Sequence, residues 1–235
     1  MDALPDSLDG VRITVERTNR KKTVSIQVDL DRVRIIAPKR LPDRQIRRIL
    51  EKREGWIREQ LLFQQSRPEP REYVSGEPFT YLGKTYSLRV LGGFPPGVKL
   101  KNGTLAVSVP RPPAAGEGNR GVREQLKKWY WNCAERHLRE KTRARARALG
   151  VTPNSVSLRD YRSRWGSCGI LGDIRYNWRI IIAPPRIVDY VVVHEVCHLR
   201  HLDHSPEFWQ CVESQFPDYR DSRDWLKANA ITLTI

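Results

Sequence analysis

An α+β fold is what this sequence predicts: a β-rich N-terminal lobe with one helix, then a helical lobe built around a single histidine-bearing helix. Three observations carry that reading. Residues 11 to 37 alternate with a period of two, as half-buried strands do. A second stretch, 79 to 109, holds two hairpin signals. Two later stretches, 122 to 149 and 186 to 228, carry apolar residues at helical spacing with no strand pattern between their breakers.

The elements follow in order. Val11, Ile13 and Val15, then Val24, Ile26 and Val28, then Val33 and Ile35 mark three strands, with Asn19 to Lys22 and Asp29 to Asp31 as the turns of a meander. Pro42-Asp43 opens a helix with Ile46, Ile49, Leu50, Trp56, Ile57 and Leu61 on one side and arginines on the other; Pro68 and Pro70 close it. Phe79 to Val90 reads as a hairpin about Gly83-Lys84. Val98 to Val109 reads as another about Asn102-Gly103, a pair that tolerates positive φ at both positions. Pro110 to Gly118 reads as linker. A long helix from Val122 is ended by Gly150; Val156 to Leu158 follows, then a loop through Arg164 to Gly169, then Ile174 to Ala183 as a strand that Pro184-Pro185 breaks. The expected division is therefore a β-rich lobe over 1–112, a linker over 113–118 and a catalytic lobe over 119–235, with no internal repeat.

Composition narrows the class. The chain has 235 residues, 39% of them hydrophobic, enough for a buried core, and no apolar run near the roughly 18 to 20 residues a membrane helix needs. Its N-terminus, Met1-Asp2-Ala3-Leu4-Pro5-Asp6, is acidic and does not resemble a secretory signal. Four cysteines without a C-x-x-C pair fit free thiols, so a cytoplasmic location is expected. Lys+Arg 42 against Asp+Glu 27 gives a net charge of +15, which favours anionic partners. The basic residues are scattered, densest at 17–22, 44–58 and 136–147, and no cluster interleaves aromatics as a base-stacking platform would.

The chemistry lies in His194-Glu195-Val196-Cys197-His198, an H-E-x-x-H inside a helical pattern entered by the apolar run Val188 to Val193. Residues four apart sit one turn above each other, so His194 and His198 can aim ring nitrogens at one ion. Glu195, about 100° around the helix, can reach a water on that ion and serve as general base without ligating. That is the arrangement of a minimal zincin-like catalytic lobe. Four of the five histidines lie between 194 and 204.

A third ligand is required. His201 shares the face of His194 but stands roughly 10 Å along the axis from it if the helix continues, too far for bonds of about 2.0–2.1 Å to span. His204 lies past the helix end, where Asp203 and the Ser205-Pro206 start of a new helix let the chain fold back. His204 is therefore the expected ligand, with Zn²⁺ the ion that suits three imidazoles. Glu213, on the next helix, is a weaker rival. The spacing His194-x3-His198-x5-His204 also occurs in metzincins, but Met1 is the chain's one methionine, so the methionine turn of that group is absent.

At these residues the sequence resembles the YgjP-like metal-dependent hydrolases, relatives of the SprT and WLM zinc metallopeptidases. The resemblance rests on Arg164-Trp165-Gly166-Ser167-Cys168, Gly172 to Arg179, Ala183-Pro184, Asp189 to Glu195, and His204 to Trp209, with Arg20 to Ile26 and Ala37-Pro38 also similar. It spans roughly residues 11 to 225 and implies a zincin core with three histidine ligands. His201 departs from the pattern, leaving an auxiliary role open for it.

Other residues carry weaker signals. Arg162 and Arg164 either orient an anionic substrate or are structural. Trp165, Trp178 and Trp209 read as core aromatics, Cys168 and Cys197 as small buried hydrophobes. The strand at Ile174 to Ile182 is a candidate partner for extended substrate. Three functions follow: a zinc metallopeptidase acting on peptide or protein; the same centre hydrolysing an anionic small molecule such as a nucleotide; and a nucleic-acid-associated module with structural zinc. The last is disfavoured, since a structural site fills all four positions with protein ligands. Nonspecific nucleic-acid affinity through the basic surface, chiefly the 44–58 helix, is expected alongside. No membrane partner is.

Overall fold

The computed structural model describes residues 4–29, 31–65, 70–111 and 119–235. The chain divides into two compact units, Met1–Glu69 and Pro70–Ile235. The boundary read from the sequence lay at 113–118, a segment outside the described residues. The second β section belongs instead to the later unit, because its inward residues Phe79, Leu88, Leu105, Val107 and Val109 share one apolar core with the helices that follow.

The first unit holds β1 (Ser7–Leu8), β2 (Val11–Thr18), β3 (Ser25–Val28), β4 (Arg32–Pro38) and α1 (Asp43–Gln65). Its strands are those the alternation predicts, with β1 added. Their order is not a meander: β2 pairs parallel with β4, and β3 lies outside as the antiparallel partner of β4. Central β4 buries Val33, Ile35 and Ala37, which pack with Ile46, Leu50, Ile57 and Leu61 from one face of α1.

The second unit repeats that strand topology, although no repeat is visible in the sequence. β5 (Pro78–Tyr81), β6 (Lys84–Gly92), β7 (Gly97–Lys101) and β8 (Thr104–Val109) adopt the order β5-β6-β8-β7, with β6 parallel to β8. Both predicted hairpins form. Asn102 and Gly103 turn the second with φ of 48° and 74°, the positive pair a two-residue hairpin demands. A long helix again follows, α2 (Arg120–Leu149), closed by Gly150 at φ 70°. It buries Val122, Leu126, Tyr130, Ala134 and Leu138 in the unit's core.

Beyond α2, β9 (Ser155–Arg159), β10 (Gly166–Cys168) and β11 (Asp173–Asn177) form a three-stranded sheet with β11 in the middle. The strand expected over Ile174 to Ala183 thus ends at Asn177, and Trp178–Ile182 is a 3₁₀ turn. Asn177 makes the switch: its side-chain oxygen accepts from Arg179 N at 3.2 Å, capping the turn. The turn is held from the other side by Leu82 N and Gly83 N, which donate to the Ile181 and Ile182 carbonyls at 2.9 and 3.1 Å. Gly83 must lack a side chain, because a Cβ there would stand 2.9 Å from Pro184 Cα. Pro184 and Pro185 then start α3 (Pro185–Cys197), followed by α4 (Pro206–Gln215) and α5 (Tyr219–Asn229). Among the described residues, no helix is long and apolar enough to cross a membrane.

Candidate metal centre

Helix α3 is apolar on nearly every side, burying Val188, Val191, Val192, Val193 and Val196. That burial places its last turn inside the unit, and with it His194 and Glu195. His198 is the C-cap residue, its N–H bonded to the His194 carbonyl. The chain then turns through Leu199 to Asp203. Asp203 accepts from Ser205 N, and Ser205 Oγ accepts from Phe208 N as the N-cap of α4. This fold-back returns His204 to the end of α3.

The three histidines expected from the sequence come together. One ligand atom from each of His194, His198 and His204 lies within 4.8 Å of the others. His194 Nε2 and His204 Nε2 are 3.2 Å apart. The three rings are mutually close, with centroids 4.8 to 5.1 Å apart. Phe208 stacks on His198 at 4.3 Å, and Trp209 stacks on His204 at 5.6 Å. Trp209 is thus a wall of the histidine cluster, not only the core aromatic its sequence context suggests. Trp178 is buried as expected, and Trp165 is partly so.

His201 stays outside the cluster and contributes its backbone. His198 Nδ1 lies 2.9 Å from the His201 carbonyl oxygen. A carbonyl only accepts, so the proton sits on Nδ1 and Nε2 keeps its lone pair for the cluster. Glu213 is taken up elsewhere, accepting from Arg220 at 2.6 Å. Cys168, Cys197 and Cys211 are free thiols, Cys197 and Cys211 being 3.3 Å apart.

Burial is the largest influence on the charges of His194, His198 and Glu195. Burial pushes the pKa of His194 down to about 3, with the charges of His198 and His204 adding to it. Burial also lowers that of His198, opposed by its bond to His201. Glu195 is 4% exposed, and burial raises its carboxyl to about 8 against the pull of Arg164. Its Oε2 has no hydrogen-bond partner, and neither does His194 Nδ1. A buried carboxyl oxygen without a partner, on the residue that follows His194, is the kind of exception that candidate functional sites carry.

The donor set fits a metal ion. Two nitrogens bound at 2.0–2.1 Å in tetrahedral geometry stand about 3.3 Å apart, and His194 and His204 offer 3.2 Å. Sequence reasoning missed β10. The short strand pairs with β11 and passes directly over Glu195: a Cβ on Gly166 would fall 2.3 Å from Glu195 Oε1. The Arg164 to Cys168 segment was visible as a motif, but it carries no ligand chemistry that would have announced this role.

A mixed α+β unit in which three histidines converge past the end of a buried helix is suited to hold a metal ion, as a metallohydrolase requires. The chain belongs to the YgjP-like family, whose metallopeptidase-domain model matches residues 22–229. Among solved structures, the chain is similar to the metallopeptidase zymogen abylysin of Pyrococcus abyssi. The identity is 20% and the TM-score 0.37, over 39% of this chain and 93% of that one. No curated protein matches.

Proposed function

We propose that this chain is a zinc-dependent metallopeptidase in which His194, His198 and His204 hold the ion and Glu195 is the general base. The observation that supports it most is the 3.2 Å approach of His194 Nε2 to His204 Nε2, with a buried, unpartnered Oε2 on Glu195, the next residue in the chain. Bound there, zinc supplies Lewis-acid polarisation of a carbonyl and lowers the pKa of water toward about 7. Glu195 takes the proton of the attacking water on a carboxylate oxygen and returns it to the leaving amine. Three protein ligands leave a position open, as catalysis needs and a structural site does not.

The strand proposed from sequence to pair with substrate, Ile174 to Ile182, is unsuitable, since β11 is flanked by β10 and β9. The outer edge of β10, beside Glu195, is the place for an extended peptide. A second reading, hydrolysis of an anionic small molecule at the same centre, draws on Arg164, an exposed cation whose charge is felt at Glu195. Assaying the zinc-loaded protein against a peptide library and a nucleotide panel, with and without a chelator, separates them. Chelator-sensitive peptide cleavage is expected; turnover of nucleotides alone would favour the second reading.

Nucleic-acid affinity is proposed from charge. On α1, Arg44, Arg48, Lys52 and Arg53 are exposed, whereas Arg58 is paired with Glu54 at 2.9 Å and with Asp9 at 3.1 Å. The expected binding to single- or double-stranded DNA is nonspecific and falls steeply between two salt concentrations, as counterion release requires. No binding at low salt would leave the charge as a solubility feature.

A further inference from the structure

We infer that Gly166 is a positioning residue for Glu195: the bare backbone of β10 is the wall against which the carboxylate is set. The inference rests on the reading of Glu195 as the base, and it gives the Arg164 to Cys168 segment a place in the site.

The contact is close. A Cβ at Gly166 would lie 2.3 Å from Glu195 Oε1 and 2.6 Å from both Cδ and Cγ, where ordinary contact begins at 3.4 Å. Gly166 is not among the glycines with positive φ, so its backbone admits an alanine. The three nearest atoms that a Cβ would meet all belong to the Glu195 side chain.

The wall does not yield. Gly166, Ser167 and Cys168 are paired with Tyr176, Arg175 and Ile174 of β11. Asn177, 3% exposed, clamps the approach to β10: its backbone N donates to the Trp165 carbonyl at 2.8 Å, and its Nδ2 donates to the Tyr161 and Arg164 carbonyls at 2.9 and 3.1 Å. Glu195 is fixed at its other end by α3, whose neighbouring side chains Val192, Val193 and Val196 are buried. With the strand tied and the helix packed, an added methyl group is relieved by retreat of the carboxyl, by about 1 Å. Oε1 faces Gly166, so that retreat carries Oε2, the oxygen free to handle a proton, out of position. A misplacement of ~1 Å is enough to cost ~10²-fold in rate.

The test is Gly166→Ala in the full, zinc-loaded chain. Zinc content and helical circular dichroism should match the wild type, while turnover of a peptide library falls about 10²-fold, toward the level of Glu195→Gln. Undiminished turnover would overturn the inference. A second readout needs no activity. Glu195→Ala removes Cγ, Cδ and Oε1, so Gly166→Ala should lower the melting temperature in the wild-type background and leave it unchanged in the Glu195→Ala background. Equal lowering in both backgrounds refutes the steric coupling. If Gly166→Ala alone fails to fold, the double variant should fold, and its failure also overturns the proposal. A protein with no hydrolytic activity would remove the enzymatic reading, while the melting cycle still decides the contact.

Discussion

His204→Ala is expected to lose its bound zinc, while His201→Ala keeps about one equivalent per chain. The two histidines lie three residues apart, yet only His204 presents a ring nitrogen to the cluster, 3.2 Å from that of His194. His201 takes part through its carbonyl oxygen, which the alanine variant retains. Removing an outer-shell partner of a metal ligand typically lowers affinity ~10–100-fold. Removing the ligand itself should exceed that, so His194→Ala and His198→Ala should be as poor in metal as His204→Ala. Elemental analysis after gel filtration reads the result. Full occupancy in any of these three, or equal retention by His201→Ala and His204→Ala, would end the proposed ligand set.

Glu195→Gln should keep zinc and fold but lose turnover by at least ~10²-fold, the usual cost of removing a general base. The amide preserves shape against Gly166 and cannot take the proton. Near-normal turnover would discard the mechanism. The same variant has a signature in the metal-free protein. The Glu195 carboxyl is raised from its ordinary value near 4.5 to about 8 by burial. A group that binds its proton more tightly when folded stabilises the fold below the ordinary pKa, and that contribution is lost as pH rises to the folded value. Metal-free wild type should therefore lose stability relative to Glu195→Gln between about pH 4.5 and 8. The comparison cancels the histidines, which both proteins share. Parallel denaturation curves across that range would contradict the burial of an unpaired carboxyl.

Most of the site was legible because its information is local. H-E-x-x-H needs only the helical period to bring His194 and His198 to one face. The choice of His204 over His201 needs only the rise per residue and the Ser205-Pro206 start of α4. Asn102-Gly103 and Gly150 announced a hairpin and a helix end through the φ values that these residues tolerate. The role of His201 was not legible, since a backbone carbonyl looks alike at every position. The environment of Glu213 was not either, because Arg220 meets it across the break between α4 and α5.

What the sequence determined by itself was most of the inventory: the majority of strands and helices, the turns that close them, and the four residues between 194 and 204 that make up the candidate site. All of that follows from periodicity, capping and spacing within a dozen or so residues. Tertiary structure decided the rest. It paired β2 with β4 and β6 with β8 in parallel, joined residues 78–109 to the later unit's core, and ended the β11 strand at Asn177. It also laid Gly166 against Glu195 across a sequence gap that no local rule spans. Strand order and close approach are set by which apolar faces can be buried together, and the period of a strand says which face is apolar without naming the surface that will cover it.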